Sequence, residues 1–277
     1  MKRIYLFLLL ACFSIFANAY DFCIDGIYYN IVSIQNRTVE VTDANQRHPT
    51  DMSGQPSSYN ISTISIPSTV TYKGKAFRVI GIGIEAFYHS SVSEVKLPEG
   101  LEYIGPGAFS NIGFFKVNLP STLKIIKFEA FKNDRVVTFS IPKSVRTIEA
   151  KALPQAMRIS IEDGSTPIEF YAFSNLNANE IYIGRTFIID GPPFEYVEFA
   201  DFVTITIGRF VKNITHLFYC DLPKKTKIIV KNPIPPQLAP LQSKEIMMNC
   251  IVEVPNSSLQ VYQNAQGWRD FLNLEGK

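Results

Sequence analysis

Histidine and cysteine are scarce in this sequence, with three and four copies among 277 residues, and the scarcity narrows the chemistry open to it. His48 falls in a polar stretch, and His216 has neither a second histidine nor a pair of cysteines at metal-ligand spacing. His-Glu-x-x-His and Gly-x-Ser-x-Gly are missing, which removes the commonest zinc-protease and hydrolase signatures. Gly81-Ile82-Gly83 lacks the third glycine and the helix of a dinucleotide fingerprint. Glu195 and Glu198 are the one carboxylate pair worth weighing, and such pairs in loops are ordinary solvated charge. No catalytic residue, cofactor or metal is therefore expected.

Long apolar runs are missing too, except at the start. Lys2 and Arg3, the apolar Ile4 to Phe16 and the small-x-small Ala17-Asn18-Ala19 read as a secretory signal over residues 1–19, with cleavage before Tyr20. Leu9-Leu10-Ala11-Cys12 offers a competing lipoprotein box, which would acylate Cys12 and anchor the chain. The run falls short of the ~20 residues that a bilayer needs, so no transmembrane segment is expected. Charge of one sign is not in excess either: 27 basic residues face 25 acidic ones, and loss of Lys2 and Arg3 leaves the two equal. Nothing electrostatic calls for nucleic acid or an anionic membrane. Past the signal, Cys23, Cys220 and Cys250 remain, an odd number that argues against a disulfide framework. A single Cys220–Cys250 bridge between neighbouring coils and buried free thiols both stay open.

What the sequence does have is a period. Ala86-Phe87 recurs as Ala108-Phe109, Ala130-Phe131 and Ala152-Leu153 at steps of 22, and as Ala172-Phe173 after 20. Leu97-Pro98, Leu119-Pro120 and Ile141-Pro142 keep the same step, as do Ile82, Ile104, Ile126 and Ile148. Three independent markers sharing one spacing point to a solenoid of stacked units. Before each proline the chain alternates, as in Glu94-Val95-Lys96-Leu97 and Thr138-Phe139-Ser140-Ile141, which is strand patterning. The series continues through Ile159-Ser160-Ile161, Ile181-Tyr182-Ile183, Ile205-Thr206-Ile207, Lys227 to Val230 and Ile251 to Val254, so about eight coils are expected. Proline stops the strand at a fixed place. The Ala-Phe pair is expected to form the far wall, and His89, Asn111, Asn133, Gln155 and Asn175 a ladder of side chains bonding turn backbone groups.

The fold expected is a right-handed parallel β solenoid with one continuous sheet, spanning residues 80–250 and closed at both ends. Asp25-Gly26 and Lys73-Gly74 are hairpin dipeptides within 20–79, which reads as a β cap carrying a polar insertion from Thr42 to Ser58. Leu259, Tyr262, Trp268 and Phe271 fall near helical spacing behind Asn256-Ser257-Ser258, so 251–277 reads as a helical cap, kinked or divided at Gly267. The coil at 185–203, with Asp190-Gly191-Pro192-Pro193, is irregular, and Asn232 to Pro240 is an extended proline-rich loop.

Leu-Pro or Ile-Pro, a valine or leucine three residues on, Ile104-Gly105 and Ala-Phe together resemble the BspA-type bacterial leucine-rich repeat over about Ile64 to Val230. Ile24-Asp25-Gly26-Ile27-Tyr28-Tyr29, and Val254-Pro255 through Gly267-Trp268, are similar to the segments flanking such arrays in secreted Bacteroidetes proteins. The resemblance implies a curved solenoid on or outside the cell, which in some members attaches to host proteins or other bacteria, and it brings no catalytic residues.

Outward strand positions are mixed in sign and polar, with Tyr182 the sole aromatic. A protein partner, such as host matrix or another bacterial surface protein, suits that face better than a sugar or single-stranded nucleic acid, which would want more rings to stack on. The face is expected around Lys116, Asn118, Ser140, Arg158, Ser160, Glu180 and Tyr182, with Arg158 and Tyr182 weighing most because interface hot spots favour those residue types. An extracellular hydrolase or a glycan-binding component of a polymer-using system is the competing reading, and it requires a concave pocket with convergent polar groups.

Overall fold

The structure is a computed structural model and describes residues 20–44, 57–113, 115–170, 178–188, 203–215, 222–223, 225–239 and 244–277. The signal segment, Cys12 and Cys220 lie outside the described residues, as do most of the Thr42 to Ser58 insertion, Ala172-Phe173, Asn175, Glu195 and Glu198.

Asp25 and Gly26 take φ of +52° and +77°, the two left-handed positions that a tight hairpin demands. They join β1 (Phe22–Ile24) to β2 (Ile27–Ser33), which pairs antiparallel with both β1 and β3 (Thr38–Thr42). β4 (Thr63–Ser65) follows, and then a second hairpin of β5 (Thr69–Tyr72) and β6 (Lys75–Ile82), turned by Lys73 and Gly74 at φ +48° and +72°. β3 lies parallel to β6, and through that pair the antiparallel start merges with the parallel coils.

From β6 onward the 22-residue step fixes the register. Each coil contributes a strand, followed by a proline in the early coils and called pre-proline throughout, and the coils up to Phe187–Ile188 add a second strand of two or three residues. The first kind begins as β7 (Glu94–Lys96) and β9 (Lys116–Asn118), whose valines Val95 and Val117 point into the core. The second kind is β8 (Tyr103–Ile104), β10 (Ile125–Ile126), β12 (Thr147–Ile148), β14 (Ile168–Phe170) and β16 (Phe187–Ile188). Ile82, Ile104, Ile126 and Ile148 lie side by side in parallel register on this second sheet, all fully buried. The pre-proline strands resume as β11 (Arg135–Ile141), β13 (Gln155–Ile161), β15 (Glu180–Ile183), β17 (Thr204–Ile207), β18 (Lys227–Val230), β19 (Ile251–Val254) and β20 (Asn273–Gly276).

The chain is thus a parallel β-solenoid of about seven turns. The single continuous sheet that the sequence suggests is corrected in two respects. Among the described residues one sheet runs β1-β2-β3-β6-β8-β10-β12-β14-β16 with β5 on β6, while the pre-proline strands form two separate sheets, β4-β7-β9 and β11-β13-β15-β17-β18-β19-β20. The break between β9 and β11 falls where the inward residue changes from Val117 to Phe139. There the backbone bonds shift upstream, with Phe115 N–H donating to the Arg135 carbonyl and Arg135 N–H to that of Gly113. Val95, Val117 and Phe139 nonetheless share one buried cluster.

The Ala-Phe wall is a column of tight turns bonded from coil to coil. Phe87 N–H donates to the Ala108 carbonyl (2.8 Å), Phe109 to Ala130 (2.8 Å) and Phe131 to Ala152 (3.2 Å). Their rings stack: Phe87 to Phe109 and Phe109 to Phe131 have centroids 5.2 Å apart and planes within 2° and 11° of parallel. Alanine is required beside them because all four alanines from Ala86 to Ala152 are fully buried where backbones meet. The column of His89, Asn111 and Asn133 stands at φ +52°, +61° and +62°, a left-handed conformation that asparagine tolerates well. Its side chains do less of the backbone bonding expected and more bonding to one another, as in Asn133 Nδ2 to Asn111 Oδ1 at 2.8 Å. Glu85, Gly107, Glu129 and Lys151 make a second left-handed column four residues earlier in each turn, again at steps of 22. Gly105 has a different reason for being glycine: a Cβ there would sit 2.7 Å from the Ile82 carbonyl oxygen.

At the far end the helical cap is small. α1 (Lys244–Asn249) precedes β19, and α2 (Leu259–Asn264) lies between a 3₁₀ turn at Asn256–Ser258 and another at Trp268–Asp270, with Gly267 at φ +79° dividing them. Tyr262 and Trp268 are fully buried and meet edge to face at 5.0 Å. Both are tied to the proline-rich loop, Tyr262 Oη donating to the Asn232 carbonyl (2.7 Å) and Trp268 Nε1 to that of Pro236 (2.8 Å). After this cap the chain returns as β20, in parallel register with β19 and Leu274 beside Val252.

Candidate binding face

The outward side chains of the seven-stranded sheet stand in two rows. Thr138, Arg158, Glu180, Thr204 and Lys227 share one, and Ser140, Ser160, Tyr182, Thr206 and Ile229 the next. Ser140, Arg158, Ser160, Glu180 and Tyr182 are therefore brought together as immediate neighbours on β11, β13 and β15. Lys116 and Asn118 are not, since they belong to β9 and the other pre-proline sheet, across the break.

Several of these side chains already have partners within the chain. Arg158 Nε lies 2.9 Å from Glu180 Oε2, both more than half exposed, and Lys116 Nζ lies 3.4 Å from Glu94 Oε1. Tyr182 Oη donates to Asp163 Oδ1 at 2.6 Å, and the Lys231 ammonium sits 5.2 Å from the ring centroid. Partial burial, then the hydrogen bond to the Asp163 carboxylate, push the Tyr182 hydroxyl up to about 12. Gly208 lies beneath the tyrosine, where a Cβ would come within 2.9 Å of that hydroxyl. The phenol is thus fixed in place and presents the remainder of its ring outward.

One feature of this face escaped the sequence reading. β11 and β13 are seven residues long, and their alternation slips so that Val137 and Thr138, and likewise Met157 and Arg158, are exposed in succession. Val137 is 53% and Met157 58% exposed. The two lie side by side next to the Arg158–Glu180 pair. The signal was available in Arg135-Val136-Val137 and Gln155-Ala156-Met157, where Val136 and Ala156 are the inward partners.

Asp134 and Arg185 are the most deeply buried residues of charged type among the described residues. Asp134, at 0% exposure, accepts the N–H groups of Ile112 and Gly113 on Oδ1, while its Oδ2 has no partner. Burial outweighs those two bonds and pushes its carboxyl up to about 8. Arg185, 1% exposed, donates to the carbonyls of Val145 (2.7 Å), Lys143 (3.1 Å) and Pro142 (3.3 Å), and so caps the turn after Ile141. Burial lowers its pKa, and a nearby Glu162 opposes that. Gly164 makes room for it, because a Cβ there would meet Arg185 Cδ at 2.8 Å. Cys250 is a buried free thiol whose pKa burial pushes up to about 11. Among the described residues no group of three or more His, Cys, Asp or Glu is placed to hold a metal ion, and no helix is long and apolar enough to cross a membrane.

Residues 80–200 match the BspA type leucine rich repeat region in six copies. Over residues 80–200 the array is of the BspA type of leucine-rich repeat. No curated protein matches the chain in sequence. Among solved structures, a leucine-rich repeat protein from Bacteroides ovatus is 18% identical, covering 93% of this chain and 99% of its own, with a TM-score of 0.36. A leucine rich cell surface protein from Faecalibacterium prausnitzii is 20% identical over 86% of this chain and 71% of its own, with a TM-score of 0.44. A leucine-rich repeat protein from Bacteroides capillosus is 22% identical over 49% of this chain and 95% of its own, with a TM-score of 0.37.

Proposed function

We propose that this BspA-type array is a non-enzymatic binding module, exported to the medium or the cell surface, that meets an extracellular protein on the outward face of β11, β13 and β15. One observation carries the reading: Val137 and Met157, each more than half exposed, lie beside Arg158 and Glu180, with Tyr182 two residues farther along β15, on a sheet held rigid by the coils behind it. Exposed apolar side chains next to arginine and tyrosine are the composition of an interaction hot spot, and a rigid surface loses little entropy on association. Export rests on Lys2-Arg3, the apolar run and Ala17-Asn18-Ala19. A host matrix component or a surface protein of another bacterium is the class of partner proposed, and adhesion is the role.

The test is affinity measured against the partner recovered from matrix extracts or bacterial surface fractions. Arg158→Ala combined with Tyr182→Ala is expected to weaken binding by at least ~2 kcal/mol, while Tm falls only by the smaller amount that the half-buried Tyr182 and its bond to Asp163 contribute. Unaltered affinity in the double variant removes the site from this face.

A further inference from the structure

The two sides of the solenoid do not end at the same level. On one side the sheet continues past β6 through β3, β2 and β1, whereas the pre-proline sheet stops at β4. Above β4, where a further strand of that sheet would lie, is a cleft of about 640 Å³, overhung by the Ile24–Tyr29 hairpin turn and bounded on its other side by β5. Its volume falls in the range of built ligand sites.

The backbone facing this cleft is unsatisfied. Glu94 N–H donates to the Ser62 carbonyl and Ile66 N–H to that of Lys96. Those two bonds set the phase of the parallel β4–β7 ladder, so that Ile64 bonds toward β7 while Thr63 and Ser65 aim their N–H and C=O groups the other way. Among the described residues neither Thr63 nor Ser65 has a hydrogen-bond partner on that outward side. Free sheet edges are normally blunted with charge, proline or a bulge. The edge at the opposite end of the molecule carries Glu275 in β20 and Lys277 just after it, whereas Thr63-Ile64-Ser65 carries no charge, and its three-residue length and Pro67 beyond it confine any added strand to a short segment. Thr69 and Thr71 of β5 also line the cleft, β5 being paired only to β6. Ile61, 46% exposed, adds an apolar contact at the wall. Tyr28 is no open platform for a sugar ring, since Tyr20 and Tyr59 pack against it at 4.7 and 5.8 Å.

We infer that this cleft is a strand-addition site, which takes an extended peptide segment of a partner protein as the missing strand beside β4. Main-chain bonds to Thr63 and Ser65 supply the affinity, and alternate side chains of the peptide fall toward Ile61 and toward solvent. Among the described residues lining the cleft only Asp25 is charged, so the segment it selects is neutral or basic. The site is separate from the face proposed above and does not depend on it.

The probe is a displayed library of random linear dodecapeptides, selected on the full exported chain, with affinities of the selected peptides measured by fluorescence anisotropy. Ser65→Pro removes one outward N–H and leaves the bonds toward β7 in place, so the expected result is a loss of at least tenfold with Tm unchanged. Arg158→Ala with Tyr182→Ala leaves peptide affinity as it was, whichever way the other face behaves. N-methylation of the peptide at successive positions abolishes binding at one alternate set and spares the other. Because that series alters only the peptide, it stands even if Ser65→Pro does not fold. Failure to select any peptide, equal binding to Ser65→Pro in its folded form, or indifference to N-methylation overturns the inference. A neutral oligosaccharide on a glycan array that displaces the peptides also overturns it and gives the cleft to a saccharide.

Discussion

From Glu85 to Leu153 the space opposite the pre-proline strands is filled by stacked phenylalanine rings, and those strands are three residues long on β7 and β9 with one inward valine apiece. From Gln155 onward the load passes to the strands themselves. Ile159, Ile181, Ile205, Ile228 and Val252 form one inward column, and Ile161, Ile183, Ile207 and Val230 the next, all buried. Left-handed non-glycine residues are confined, among the described residues, to the part of the chain up to Lys151. One period can thus be stabilised either by turns bonded turn to turn or by a wider ladder of aliphatic side chains, and this chain changes from the first to the second near Phe139.

The sharpest way to break that contrast is to empty the stack. Phe109 touches Phe87, Phe131 and Phe115 with centroids at 5.2, 5.2 and 5.9 Å, so Phe109→Ala should cost about 3 to 5 kcal/mol, read from urea unfolding. A value near 1 kcal/mol would show that the ladder beyond Phe139 carries the whole array. Arg185→Ala should follow at about 3 kcal/mol, because it takes the Arg185 donor from the Val145 and Lys143 carbonyls, leaves Pro142 only its bond from the Val145 N–H, and opens a cavity beside Gly164. Arg185→Lys should recover only part of this, as a single ammonium cannot repeat the spread of the guanidinium.

A third effect is read against pH. Asp134 keeps its proton in the folded chain up to about pH 8, while the unfolded chain releases it near 3.8. Between those values the folded state binds more protons, so this group's contribution to stability falls as pH rises from about 4 to 8 and then levels off. The urea midpoint followed across that window should decline, and Asp134→Asn, which mimics the neutral carboxyl, should flatten the decline. An unchanged slope in that variant would assign the pH dependence to other groups.

The coil register was legible because it is written in residue types that packing enforces. Alanine fits where backbones touch, phenylalanine fills the gap between turns, and isoleucine at steps of 22 lies on one buried line. The second left-handed column was not, since Glu85, Gly107, Glu129 and Lys151 have no side-chain chemistry in common. What places them is the cross-coil backbone bonding, such as Glu85 N–H to the Pro106 carbonyl and Glu129 N–H to that of Ala150. β20 was missed because Leu274 is the one large apolar residue in it. Arg185 was missed because a buried guanidinium with carbonyl partners looks, in sequence, like any surface arginine. On the face, Arg158, Glu180 and Tyr182 could be named from alternation alone. The slip that exposes Val137 and Met157 depends on where the two strands begin, which alternation does not mark.

The coil-to-coil bonds of the turn wall tie residues almost one period apart, Phe87 to Ala108 and Phe109 to Ala130. Inserting or deleting a few residues inside a turn would therefore throw every later coil out of step, but adding or removing a whole 22-residue unit would leave each remaining bond with an equivalent partner. The array works as a ruler graduated in whole coils. Each extra unit moves the β4 edge and the β11–β15 face farther apart by about 4.8 Å and alters neither of them, so a lineage carrying this chain could tune the distance between its two ends by duplication alone.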